Sequence, residues 1–209
     1  MQNQKVNTIF EYLEQMFGSE PKAELNFSSD IECLVAVMLS AQCTDKRVNI
    51  VTKELFKKYK TVYDYANANL EELEKLIYST GFYHNKAKNI ISMAKAVVLN
   101  HSGQIPSTLA ELVNLAGVGR KTASVYLVEW LKKPAIPVDT HVMRVSRRLN
   151  LSSGNTPAKI EQDLKQLLNK ENWCNYHMLL VLFGRYHCTA KKPNCTNCKI
   201  SQLCLYTKN

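Results

Sequence analysis

Leu115-Ala-Gly-Val-Gly-Arg-Lys-Thr-Ala-Ser124 is the stretch whose reading decides the fold. Gly117 and Gly119 bracket one apolar residue, and a helix-forming run follows at once. Glycine adopts positive φ without a steric penalty, so the pair reads as a tight turn that opens a helix. The first N–H groups of that helix lack intrahelical partners and point outward. A phosphate suits that position, favoured by the helix dipole and by Arg120. Lys121 sits in the first turn, at the mouth of the site. Asp139, in Pro137-Val-Asp-Thr-His141, follows after an apparent proline-bounded linker. A helix from Arg120 to Leu131 carries the chain roughly 17 Å away at about 1.5 Å per residue. The segment from Lys132 to Val138 reaches up to roughly 23 Å, enough to return. The spacing therefore lets one amine and one carboxylate face a common cleft beside a phosphate site.

Outward from this stretch, the 209 residues suit one large domain or two small ones, and the 45% apolar content argues against disorder. The longest apolar run, Cys33 to Leu39, is far short of a membrane span. The first residues show no secretory pattern, so a soluble, cytoplasmic protein is expected. Net charge is +9, and its placement is one-sided. No Asp or Glu occurs after Glu171, whereas Arg185, Lys191, Lys192, Lys199 and Lys208 do. Arg144, Arg147 and Arg148 crowd the segment after Asp139. Such a surface suggests a polyanion, most simply nucleic acid, with ordinary solubilising charge as the alternative.

Hydrophobic spacing predicts helices throughout and no strands, so the fold class is all-α. Residues 5–17 carry Val6, Ile9, Phe10, Leu13 and Phe17 on one face, and 18–30 read as a loop. Ile31 to Leu39 is apolar nearly all round, the mark of a helix buried among others. Thr44 or Asp45 caps the next helix, and Asn69 caps a short one stopped at Gly81. A longer helix after Phe82-Tyr-His-Asn85 packs Ala87, Ile90, Ile91, Ala94, Val97 and Val98, with Lys86, Lys88 and Lys95 outward. Pro106-Ser107 starts the helix leading into the glycine turn. Asp139 caps a helix to Leu149, Thr156-Pro157 starts another, and a last apolar helix runs from about Tyr176 to Phe183. The seam between domains falls at Lys132 to Pro137.

Of seven cysteines, Cys188, Cys195, Cys198 and Cys204 give C-x6-C-x2-C-x5-C, a metal-site spacing. Disulfides are the alternative, but nothing suggests an oxidising compartment. Zinc and an iron–sulfur cluster both accept four thiolates, so the spacing does not separate them. The region has no acids and few apolar residues, so the metal would fix its loop and present Lys191 and Lys192 outward. Cys33 and Cys43 read as buried thiols; Cys174 is unassigned.

Leu-x-Gly-Val-Gly-Arg-Lys-Thr-Ala, Val-Asp-Thr-His-Val-x-Arg and the four-cysteine spacing, with Glu24-Leu-Asn-Phe-Ser28 and Leu39-Ser-Ala-Gln42, together resemble the endonuclease III family of DNA repair glycosylases. The resemblance implies two helical domains with a helix–hairpin–helix motif: residues 22–133, and residues 1–21 plus 134–209, with a DNA-binding cleft between them. It implies a [4Fe–4S] cluster on the four cysteines. It also implies a monomer acting on double-stranded DNA, nucleoid-associated and of bacterial type. The activity implied is excision of oxidised pyrimidines followed by strand scission at the abasic site. In that pattern Lys121 is the nucleophile and Asp139 its acidic partner, while Gln42 and Phe82 fill the space left by the extruded base. Gly117, Gly119, Arg120, His141, Arg144, Lys191 and Lys192 are expected to contact DNA. Ala116, Phe82 and His84 depart from the family's usual Pro, Leu and Asn.

The chemistry is demanding. A base inside a duplex must be extruded, at a cost of a few kcal/mol, and an apolar wedge offsets part of it. The lysine amine must be neutral to attack C1′, yet an ordinary lysine is only roughly 0.04% neutral at pH 7. A carboxylate held by helix N–H groups stays charged, which suits stabilising positive charge growing on the sugar. Two rivals remain at this level. One is an adenine-removing glycosylase of the same superfamily, whose members lack the lysine and carry an extra C-terminal domain. The other is a non-catalytic, DNA-binding or redox-responsive iron–sulfur protein.

Overall fold

A computed structural model describes residues 2–208. Its elements are α1 (Gln2–Phe17), α2 (Asp30–Leu39), α3 (Asp45–Lys58), α4 (Val62–Ala66), α5 (Leu70–Ile77), α6 (Tyr83–His101), α7 (Leu109–Leu112), α8 (Arg120–Glu129), α9 (Thr140–Arg148), α10 (Pro157–Leu167) and α11 (Trp173–Tyr186), with short 3₁₀ turns. Among the described residues there is no strand, and no helix is long and apolar enough to cross a membrane. The chain divides into two compact units, one formed by Ala23–Lys132 and the other by the segments up to Lys22 and from Lys133 onward.

The unit Ala23–Lys132 is built on α2. Every residue from Cys33 to Leu39 is buried, so this helix is wrapped on all sides, by α3, α6 and α8. Ser29 accepts the Glu32 N–H at its N-terminus, and the Glu32 carboxylate accepts in return from Ser28. Val48, Val51 and Leu55 of α3, Leu73 and Ile77 of α5, and Ile90, Met93, Ala94 and Val97 of α6 complete the core. The α8 helix adds Ala123, Tyr126 and Leu127. Burial pushes the Cys33 thiol up to about 12, with Glu129 adding to it, so Cys33 is an inert core residue.

In the other unit α11 is central, packed by α1 and α9, with α10 against α9. Phe10 stacks on Tyr176 at 3.7 Å between centroids. Gly184 lets α9 and α11 approach closely: a Cβ there would lie 2.8 Å from the Cβ of His141.

Several boundaries differ from the sequence reading. Pro106-Ser107 does not start α7; Thr108 caps it, accepting the Glu111 N–H, and the helix is one turn long. The α8 helix ends at Glu129 rather than Leu131, and α11 runs from Trp173 to Tyr186, beyond the apolar stretch that suggested it. Tertiary packing carries α11 past its most apolar residues, while the α8 difference is the one or two residues by which helix ends commonly vary. Cys43 is half-buried rather than buried. Lys86 does not point outward: it is 8% exposed, on the same face of α6 as Ile90, Met93 and Val97.

Candidate active site

The glycine turn is present, and its two glycines do different work. Gly117 has φ +73, and a Cβ there would fall 2.7 Å from the Cβ of Asn89 on α6. Both the backbone and the space therefore demand glycine. Val118, buried at the turn, donates its N–H to Leu115 O at 3.1 Å and pins the hairpin into the core. Gly119 is the N-cap of α8 in extended geometry, φ −77 and ψ 171, which any residue adopts. Nothing lies within 4 Å of the place its Cβ would take. Its lack of a side chain leaves the approach to the α8 N-terminus open, and no side chain caps that end. Arg120 and Lys121 follow in the first turn, both exposed.

Asp139 is the N-cap of α9: its Oδ1 accepts the Val142 N–H at 2.8 Å, and the residue is half-buried. His141 and Arg144 lie on the next turn, joined by a 3.2 Å contact between Nδ1 and Nη2. The Arg144 guanidinium is largely used inside the protein. It donates to Gly184 O at 2.6 Å, to Cys188 O at 3.1 Å and to Thr140 O at 3.4 Å. Arg148, which the sequence reading did not single out, does similar work one turn later. It donates to Cys188 Sγ at 3.3 Å, Thr189 O at 2.8 Å and Ala190 O at 3.2 Å, and lies over the Tyr206 ring. The two arginines thus fasten the start of the cysteine loop to α9. Their four-residue spacing on an otherwise amphipathic helix was the available signal.

Cys188, Cys195, Cys198 and Cys204 all line one cavity, together with His187, Phe183 and Arg148. Burial raises the Cys198 thiol, the Ile200 main chain lowers it, and Cys188, Cys204 and Cys195 nearby add to the rise. Among the described residues no three His, Cys, Asp or Glu side chains converge closely enough to hold one metal ion. His187, which also lines the cavity, is stacked on Phe183, and its Nε2 is buried without a hydrogen-bond partner. Lys191 and Lys192 are exposed on the loop between the first two cysteines.

Gln42 and Phe82 share an uncommon backbone: φ is +54 at Gln42 and +49 at Phe82, both left-handed. Phe82 is 63% exposed, and Gln42 is exposed too. Core packing therefore does not account for the position of the Phe82 ring. His84, two residues on, pairs its Nδ1 with Glu74 Oε2 at 2.9 Å.

Known proteins resemble the chain along nearly its whole length. The sequence model of the HhH-GPD superfamily of base excision DNA repair proteins matches residues 35–170. Endonuclease III of Rickettsia felis is 44% identical over 206 residues, covering 99% of this chain and 96% of the relative. Endonuclease III of Bacillus subtilis is 47% identical over 184 residues, covering 88% of this chain and 84% of the relative. A solved endonuclease III, trapped as a covalent intermediate with DNA, superposes with a TM-score of 0.93 at 42% identity, covering 99% of this chain and 97% of that one.

The two glycines give contrasting expectations. Gly117→Ala should lower stability by about 1–2 kcal/mol from the left-handed backbone alone, before the clash with Asn89. Gly119→Ala should change it by less than about 0.5 kcal/mol, since the site is open. Urea unfolding midpoints check both; equal losses would contradict the separate roles.

Proposed function

We infer the activity of this chain from its kinship: it belongs to the HhH-GPD superfamily of base excision DNA repair proteins and, within it, to the endonuclease III family. It is a base-excision repair enzyme that acts on DNA as glycosylase and abasic-site lyase. The observation that carries the finer reading is Lys121, exposed in the first turn of α8 behind a glycine turn that leaves the helix end open. The substrate is double-stranded DNA bearing an oxidised pyrimidine or an abasic site, and the setting is the cytoplasm, at the nucleoid.

In this reading the phosphate backbone settles on the open N–H groups of α8, with Arg120, Lys191 and Lys192 supplying charge. Gln42 and Phe82 enter the duplex and occupy the volume of the extruded nucleotide. The neutral amine of Lys121 attacks C1′, the N-glycosidic bond breaks, and the base leaves with its electron pair and takes up a proton. Ring opening gives a Schiff base between Lys121 and the sugar. Loss of a C2′ proton then expels the 3′ phosphate, and hydrolysis of the imine frees the lysine. Asp139, its carboxylate already held by the Val142 N–H, stabilises the positive charge on the sugar as the base departs. Arg144 acts through position, holding His141 and the cysteine loop beside α9.

The four cysteines are the site for a [4Fe–4S] cluster. What supports this is the cavity that Cys188, Cys195, Cys198 and Cys204 line together, with four thiols as its donor set. When bound, the cluster supplies a covalent cross-link that fixes the loop carrying Lys191 and Lys192.

On a duplex containing thymine glycol, Lys121→Ala should lose strand cleavage by at least about 1,000-fold. Asp139→Asn should slow excision by about 100-fold. Gel assays of single-turnover cleavage decide it, and wild-type cleavage by Lys121→Ala would overturn the mechanism. Cys198→Ala should lower bound iron per chain and speed tryptic cutting after Lys191. Zinc in place of iron, or an unchanged digestion rate, would contradict the cluster's proposed role.

A further inference from the structure

The unit Ala23–Lys132 holds a buried lysine that the proposed mechanism leaves unused. Lys86 sits in the first turn of α6, and its side chain runs into the protein rather than out to solvent. Its Nζ donates to Leu39 O at 2.8 Å and to Thr80 O at 2.9 Å. Leu39 is the last residue of α2, and Thr80 is the last residue of the 3₁₀ turn Tyr78–Thr80. Both carbonyls stand at helix ends, where main-chain partners run out.

Each carbonyl also stands just before one of the two left-handed tips. Gln42 is three residues after Leu39, and Phe82 is two residues after Thr80. The other bonds of the connecting segments are local: Ser40 Oγ donates to Val37 O at 2.8 Å, Ala41 N–H to Met38 O at 3.4 Å and Thr80 Oγ1 to Ile77 O at 2.8 Å, and none of them joins one segment to the other. The Gln42 turn has the Cys43 N–H to Ser40 O bond at 3.1 Å, and Gly81 donates to Tyr78 O at 3.4 Å. Phe82, the N-cap of α6, makes no side-chain cap hydrogen bond. A strained, exposed residue keeps its conformation only where its surroundings over-determine it. One ammonium bonded to both segments does that for both at once.

We propose that Lys86 is a positioning residue that locks Gln42 and Phe82 into one rigid, two-pronged wedge, by tying the end of α2 to the turn before α6. The proposal rests on the reading that these two residues enter the duplex. Lysine fits the task because it reaches two carbonyls from one atom, and even its neutral amine keeps two N–H donors for them. Burial lowers the Lys86 pKa below the ordinary lysine value, opposed by the nearby Cys43. Misplacement of reacting groups by about 1 Å can cost about 100-fold in rate, so the lock bears on catalysis without touching the sugar.

The test uses the full-length protein loaded with its cluster and a duplex carrying 2-aminopurine beside a thymine glycol. Lys86→Met should lose most of the fluorescence rise that reports unstacking, and should cut the single-turnover rate about 100-fold with little change in KM. On an abasic site in single-stranded DNA, where no stack must open, it should cleave within about threefold of wild type (nothing there requires the wedge). In a Gln42→Ala, Phe82→Ala background, Lys86→Met should add no further loss. Wild-type unstacking by Lys86→Met, an equal loss on single-stranded DNA, or an undiminished loss in the double-alanine background would each overturn the proposal. If Lys86→Met does not fold, Lys86→Gln gives the same contrast, because its shorter amide lacks the reach to hold both carbonyls from one nitrogen. Should Gln42→Ala and Phe82→Ala leave unstacking intact, the wedge reading itself fails; should they abolish it while Lys86→Met does not, only the lock fails.

Discussion

Gly117, with positive φ and no room for a Cβ beside Asn89, is the constraint on which the rest of the site depends. It turns the chain sharply enough for Val118 to stay buried while α8 begins two residues later with its N-terminus open. The same helix sends Ala123, Tyr126 and Leu127 into the core around α2. Lys121 is therefore exposed on an element that cannot slide, because its far face is packed. Catalysis by a positioned amine needs that combination, since orientation contributes only if the group holds still.

The α9 helix solves a related problem in the other unit. Its first end carries Asp139, whose side chain is fixed by a bond to Val142 N. Its last turns carry Arg144 and Arg148, which reach five different acceptors on α11 and the cysteine loop besides the local contacts. One short helix thus fixes a carboxylate at one end and braces the four-thiol loop at the other. Gly184 makes it feasible by letting α11 lie against His141 and Val145.

Much of this was legible in the sequence because it is local. Caps at Thr44, Asn69, Asp139 and Thr156 follow from side chains that bond their own backbone three residues on, and each is observed. The buried character of α2 and the all-helical class follow from apolar spacing. What stayed hidden is tertiary. Lys86 was assigned to solvent because lysine usually lies there, although its position relative to Ile90, Met93 and Val97 placed it inward; only α2 and the turn before α6 reveal its two acceptors. The hold of Arg144 on Gly184 O and Cys188 O was equally invisible, because those two acceptors lie about forty residues away. The left-handed φ of Gln42 and Phe82 carried no signal in residue type, since neither is Gly, Asn or Asp.

The account stands most directly on which nitrogen attacks the sugar. Borohydride reduction during turnover of an abasic-site duplex, followed by proteolysis and mass spectrometry, reads out the residue that carries the sugar remnant. The fragment containing Lys121 should hold the adduct, at one per chain. An adduct on another amine, or strand cleavage that proceeds with none, would contradict it.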